Sequence, residues 1–166
     1  VSLFPNPGGY LRDEPLSSVV LAKYREDAQE MNYVPTLSGT EIVEEMNILG
    51  IVQGIVTNRV KMARHRLDQA GYGNFEFLIQ PEEREHRKPN PLCLQPALDS
   101  LQEKGISLNE IVSIGDHPDD YLAARDAGIG FIAVLTGEST KEDFVELGLD
   151  ESMVINNLGE LKEKIN

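Results

Sequence analysis

Two rhythms of apolar positions alternate along this chain. Short apolar runs predict buried strands at Ile51 to Val56, Phe75 to Ile79, Ile111 to Ile114, Gly130 to Leu135 and Met153 to Ile155. Helix-like spacing fills the intervals. Ser38-Gly39-Thr40-Glu41 reads as a capping box opening a helix that runs to Leu49 and stops at Gly50. Arg59 to Ala70 is amphipathic, with Val60, Met62, Ala63 and Leu67 apolar, and stops at Gly71. The next helix begins near Pro96, because proline is poor inside a helix, and ends at Gly105. Pro118 fits the first turn of a helix continuing along Tyr121, Leu122, Ala124 and Ala127 to Gly128. Thr140 to Leu147 and Leu158 to Ile165 complete the series, and Pro15 to about Met31 reads as one earlier helix. Strands alternating with helices of this length predict an α/β domain with a parallel sheet covered on both faces.

Composition narrows the class. A chain of 166 residues, 40% hydrophobic and 26% charged, is of ordinary size for one soluble domain, and one domain is expected over residues 1–166. Its formal net charge of −13 argues against nucleic acid or an anionic membrane as partner. An anionic substrate would have to be drawn in by local cations or a metal. The single cysteine, Cys93, precludes an internal disulfide and fits a reducing compartment. No stretch reads as a signal peptide or a spanning helix, so a cytoplasmic location is expected.

The densest chemistry lies in Ile111 to Gly128, IVSIGDHPDDYLAARDAG. Gly115 breaks the strand, and Asp116, Asp119 and Asp120 follow at once. Those carboxylates fall at the carboxyl end of a parallel strand, where open α/β sheets bind ligands. Oxygen ligands there suit a hard cation, Mg²⁺ above all, held together with a phosphate. An acidic loop capping an ordinary helix is the plainer reading.

The G-D-x-x-x-D pattern with AARDAG behind it resembles the fourth motif of the haloacid dehalogenase superfamily, in its phosphoglycolate-phosphatase-like branch. GIVTNR, Gly54 to Arg59, resembles the second motif, and RKPNP, Arg87 to Pro91, the third. The resemblance runs from about Leu3 to the C-terminus. It implies a three-layer Rossmann-like fold with a central parallel sheet, and phosphate-ester hydrolysis through an aspartyl-phosphate. Thr57 would offer its hydroxyl to a phosphate oxygen with the Asn58 amide beside it, and Lys88 would neutralise phosphate charge. Asp116 would be a direct Mg²⁺ ligand. Asp120 would be a ligand through water or an orienter of the Lys88 ammonium, and Asp119 faces solvent. His117 replaces a small residue frequent in the family and is read as a surface histidine. No metal-ligand spacing joins His65 to His86, and Cys93 reads as a packed thiol.

The first motif departs from the family. LFPNPGGYLRDEPL, Leu3 to Leu16, can be laid without a gap on a family pattern of the form LFDLDGTLVDSEPL. Pro5 then stands where the nucleophilic aspartate belongs, and Pro7 where the acid/base aspartate belongs. Mg²⁺ binding is expected to be weak with so few anionic ligands. Three readings stay open: a hydrolase fold that is weakly active or inactive, a non-catalytic phosphate- or Mg²⁺-binding pseudophosphatase, and a structural or regulatory subunit in which the motifs are residual. Only residues 17–34 lie where a cap domain usually sits, enough for a short helical insertion and little or no cap. An open site would suit a phosphorylated small molecule or macromolecule, with closure by a second copy of the chain as another candidate.

Overall fold

The computed structural model of the protein describes residues 33–59, 62–73 and 75–164. The Pro5–Gly9 loop, the helix expected from Pro15 and nearly all of the short insertion expected at 17–34 lie outside the described residues.

Among the described residues five helices and five strands alternate: α1 (Gly39–Ile48), β1 (Gly54–Val56), α2 (Ala63–Gln69), β2 (Phe77–Ile79), α3 (Gln95–Glu103), β3 (Val112–Gly115), α4 (Pro118–Asp126), β4 (Gly130–Val134), α5 (Lys141–Val145) and β5 (Val154–Ile155). Every strand pairing is parallel. β1 pairs with β2 in a two-stranded sheet, and β3, β4 and β5 form a three-stranded one. The expected Rossmann-like α/β architecture is present, with the parallel strands in two small sheets among the described residues.

β4 shows why the larger sheet holds. It is paired on both sides, and Phe131, Ile132, Ala133 and Val134 are all buried. Successive side chains point to opposite faces. Phe131 and Ala133 therefore join one core with Cys93, Leu98, Tyr121, Ala124, Phe144 and Leu149. Ile132 and Val134 join the other, with Ile42, Met46, Ile155 and Leu161. Helices α3, α4 and α5 cover the first face, while α1 and the 3₁₀ turn Leu158–Glu163 cover the second. Phe144 anchors the first core. It is fully buried, and Phe131 bridges it to Tyr121 with centroid separations of 6.1 and 5.4 Å. Burying one such ring contributes about 2–3 kcal/mol.

Several boundaries differ from the pattern-based expectation. α1 does start at Gly39, but the Ser38 backbone is left-handed (φ 61°) and its side chain makes no cap bond. Thr40 Oγ1 spends its hydrogen on Glu41, so the expected capping box is not formed. Ile51 and Val52 are exposed and precede the strand, which begins only at Gly54. The second helix is shortened to Ala63–Gln69 behind a left-handed Met62. The last helix is a 3₁₀ turn, started by Asn157 Oδ1 accepting from the Gly159 N–H. The glycine stops hold. Gly50, Gly71, Gly105 and Gly128 all take positive φ, the conformation that ends a helix at little cost only for glycine. Two working capping boxes lie where none was expected, Ser107 with Glu110 and Thr140 with Asp143.

Candidate functional site

β1 and β3 each run directly into a candidate residue. Thr57 follows β1 and Asp116 follows β3, each at the carboxyl end of its strand. The Thr57 N–H donates to the Ile79 carbonyl at 3.0 Å, and its hydroxyl accepts from the Arg59 N–H at 3.2 Å. Half-buried, Thr57 is thereby held as a strand-end turn.

Asn58 joins the end of β1 to the segment that carries Lys88. Its Oδ1 accepts from the Lys88 N–H at 2.9 Å, and its Nδ2 donates to the Lys88 carbonyl at 3.0 Å. Both polar ends of the amide are occupied by one residue's main chain. The segment is braced further by Arg87, whose guanidinium donates to the Pro81 and Glu82 carbonyls at 3.2 and 3.0 Å. Asn90 donates from Nδ2 to the Glu85 carbonyl and caps the turn Pro91–Cys93.

Held in this way, Lys88 reaches Asp120. Its Nζ lies 2.8 Å from Asp120 Oδ1, and the two side chains are only 17% and 14% exposed. Such enclosure separates this pair from an ordinary surface ion pair, where water screens most of the attraction. Asp120 Oδ2 accepts from the His117 N–H at 3.2 Å, while His117 Nδ1 accepts from the Asp119 N–H at 3.1 Å. His117 and Asp120 thus form a reciprocal cap on α4, with Pro118 in its first turn. His117 is the helix cap, a role the sequence reading had left to an aspartate.

Two glycines make room for the acids. A Cβ on Gly115 would lie 2.5–2.7 Å from Asp120 side-chain atoms, and one on Gly137 would lie 2.6 Å from Asp116 Oδ2. The Asp116 carboxylate therefore rests against the main chain of the turn after β4. Next to Gly137 in the chain, the Thr136 hydroxyl oxygen is buried with no hydrogen-bond partner among the described residues. Gly137 and Thr136 were legible in sequence only as the end of a strand. Below the Lys88–Asp120 pair, Cys93 is almost fully buried, and burial pushes its thiol pKa above the ordinary value, with Lys88 pulling the other way.

Asn58, Lys88 and Asp120 are therefore joined by direct contacts, Thr57 and Asp116 stand at the carboxyl ends of β1 and β3, and Asp119 and His117 lie toward solvent. Among the described residues, no group of three or more His, Cys, Asp or Glu side chains is gathered to hold a metal. Asp120 is engaged by Lys88 and by the helix cap, which leaves Asp116 as the carboxylate with room for a cation. Its carboxylate oxygens, resting against Gly137, fit a hard cation, as a single anionic ligand.

Open parallel α/β sheets bind ligands beyond the carboxyl ends of their strands, and Thr57 and Asp116 stand at two such ends. The chain belongs to the haloacid dehalogenase-like hydrolases, whose family model matches residues 5–134. It is 35% identical over 108 residues to the phosphoglycolate phosphatase of Xanthomonas campestris pv. campestris (strain 8004), an alignment covering 63% of this chain and 48% of that protein. It is 31% identical over 118 residues to the pyrophosphatase PpaX of Bacillus mycoides (strain KBAB4), covering 63% of this chain and 52% of the relative. The chain spans about half the length of these curated relatives. A crystal structure from Lactobacillus delbrueckii subsp. bulgaricus, provisionally assigned as a phosphoglycolate phosphatase, superposes with a TM-score of 0.74 at 21% identity. That superposition covers 89% of this chain and 60% of the other, and it establishes the fold. No helix among the described residues is long and apolar enough to cross a membrane.

Proposed function

We propose that the carboxyl edge of β1 and β3 is a phosphate seat of the phosphoglycolate-phosphatase-like kind, for a phosphorylated small molecule or macromolecule. The enclosed Lys88–Asp120 pair, clamped to β1 through Asn58, carries this reading. Lys88 supplies positive charge to the phosphate, and Thr57 offers its hydroxyl. Asn58 acts by fixing the Lys88 main chain, and Asp120 by orienting the Lys88 ammonium. Asp116 is the residue for Mg²⁺, which when bound would neutralise phosphate charge and draw it to an otherwise acidic chain. The single cysteine supports a cytoplasmic setting for this activity.

Turnover is proposed to be weak or absent, because Pro5 and Pro7 occupy the positions at which the resemblance places two aspartates. Proline has no nucleophilic oxygen and no main-chain N–H to give a phosphate. Loss of a covalent nucleophile costs up to about 10⁶ in kcat in a protease where it has been measured. The second reading, a non-catalytic phosphate-binding subunit, rests on that same pair of prolines.

Hydrolysis of a generic aryl phosphate by the chain, beside a Pro5→Asp/Pro7→Asp variant, tests both. Activity confined to the double variant is the expected result for a degenerate hydrolase. Phosphate binding without activity in either protein favours the binding subunit. Robust hydrolysis by the unaltered chain, abolished by Asp116→Ala, would overturn the assignment and demand another nucleophile.

A further inference from the structure

A second concentration of cations lies on the flank of α4. A cavity of about 590 Å³ opens between the segment 84–91 and the face of α4 that presents Leu122, Arg125 and Asp126. Those three residues stand at i, i+3 and i+4, along the second half of the helix, whereas the strand-end site meets the helix at its first turn. The volume is that of a small-molecule site.

The charge of this cavity runs against that of the chain. Four cationic residues line it, three of them arginines, against two carboxylates, in a protein of formal net charge −13. Arginine's planar fork matches phosphate and carboxylate oxygens in pairs, which a lysine ammonium does not. The Arg84 guanidinium has no hydrogen-bond or ion-pair partner among the described residues. Arg125 is paired with its neighbour Asp126, at 2.8 Å, in a pair whose members are 47% and 46% exposed, and lies 5.9 Å from the centroid of the Tyr121 ring. An exposed pair of that kind is worth little, so it yields readily to a better anion. The wall is already shaped. Arg87 is fixed to the Pro81 and Glu82 carbonyls, and Asn90 to the Glu85 carbonyl at 2.7 Å. A ligand therefore meets a pre-organised surface and spends little on ordering it. Leu122 and Pro89 give the lining an apolar component suited to the body of an organic anion.

We propose that this cavity binds a small polyanion, a ligand carrying two or more phosphate or carboxylate groups, beside the phosphate seat and sharing with it only Lys88. The same segment carries Lys88, so occupancy bears directly on the residue that the seat uses. Binding here stands independently of whether the strand-end site turns over a substrate.

The test is calorimetric titration of the whole chain with two probes, inorganic pyrophosphate and citrate. Saturable binding is expected for at least one. It should survive Thr57→Val, and weaken about ten-fold for each guanidinium removed in Arg84→Ala and Arg125→Ala, the loss of one charge-assisted hydrogen bond. Arg84→Lys should fall between wild type and Arg84→Ala. Both arginines are exposed, and unchanged circular dichroism confirms that the variants remain folded. Amide shift changes confined to 84–91 and 122–126 fix the locus. Preference for pyrophosphate identifies a phosphate ligand, and preference for citrate a carboxylate. Binding unaltered in Arg84→Ala/Arg125→Ala, binding lost in Thr57→Val alone, or no binding of either probe at millimolar concentration would each overturn the proposal.

Discussion

The Lys88–Asp120 pair should behave as an enclosed ion pair, and a double-mutant cycle decides this. At 2.8 Å and an effective dielectric of about 20, the gross attraction is about 6 kcal/mol. Desolvation of two side chains only 17% and 14% exposed offsets much of it. Removing one partner leaves the other charge enclosed, with its desolvation cost uncompensated. Fully buried pairs then lose about 3–5 kcal/mol, and the residual exposure here puts the expected loss at about 2–3 kcal/mol for Lys88→Met and for Asp120→Asn. Asparagine is chosen at 120 because its amide oxygen still accepts the His117 N–H, so the cap of α4 stays in place. The double variant carries neither charge and should be no less stable than either single one. A coupling energy of about 2 kcal/mol follows. Urea unfolding followed by far-ultraviolet circular dichroism measures all four proteins. Additive losses, or single losses below about 1 kcal/mol, would class the pair with solvent-screened surface ion pairs.

Three further outcomes are expected. Gly137→Ala should push the Asp116 carboxylate from its place, since the new methyl would lie 2.6 Å from Oδ2, and lower Mg²⁺ affinity measured by titration while the fold is retained. Unchanged affinity would show that the rest position of Asp116 is immaterial. Stability should fall in acid: Asp143, Glu110 and Asp150 have pKa values held below the ordinary 3.8, 4.5 and 3.8 by hydrogen bonds from Thr140, Ser107 and Ser152. Depressed carboxylate pKa values contribute stability above those ordinary values that is lost as pH drops through the folded ones, so thermal unfolding should be flat near neutrality and drop below about pH 4. Thr140→Ala should shrink that acid drop, and an identical pH profile would refute the cap assignment. Cys93 should react slowly with thiol reagents in the folded chain, being buried with a raised pKa, and rapidly in urea; equal rates would contradict its place in the core.

Strand and helix alternation was legible because the chain's apolar runs and glycine stops report local physics. Gly50, Gly71, Gly105 and Gly128 end helices for a reason that needs no tertiary partner. Starts were harder to read. Ser38-x-x-Glu41 has the residue types of a capping box, yet Ser38 takes a left-handed conformation that carries its hydroxyl away from the helix N–H groups. Thr140 and Asp143 make the same motif successfully. Pattern alone does not separate the two, because the cap depends on the backbone angle of one residue. Apolar character likewise overextended the strand at Ile51, where the chain is still closing the turn from Met46.

The candidate site shows the same division at higher stakes. Thr57, Lys88 and Asp116 were picked out by resemblance, and the strand ends that carry Thr57 and Asp116 followed from the alternating pattern. Asn58 was placed beside a phosphate, whereas its amide is engaged on both sides by the Lys88 main chain. A residue type discloses its donors and acceptors, but a partner that is main chain leaves no mark in sequence. Gly115 and Gly137 are similar: each is defined by a side chain that must fit against it from elsewhere.

These contacts also set the electrostatics of the proposed seat. With Lys88 drawn to Asp120, its charge is largely answered within the protein, and Asp116 has no ion-pair partner among the described residues, in a chain already at −13. A phosphate approaching that edge meets no surplus of positive charge from these residues. On the proposed reading, two routes supply it. Asp116 would hold a cation that supplies positive charge to the phosphate, or Lys88 turns part of its ammonium from Asp120 to the ligand. The second route is limited by the main-chain clamp, because Asn58 holds Lys88 in place and leaves only its side chain to move. Phosphate affinity in this chain is therefore tied to the cation more tightly than in a site whose lysine is free, and weak cation binding by a single carboxylate would make phosphate binding weak as well.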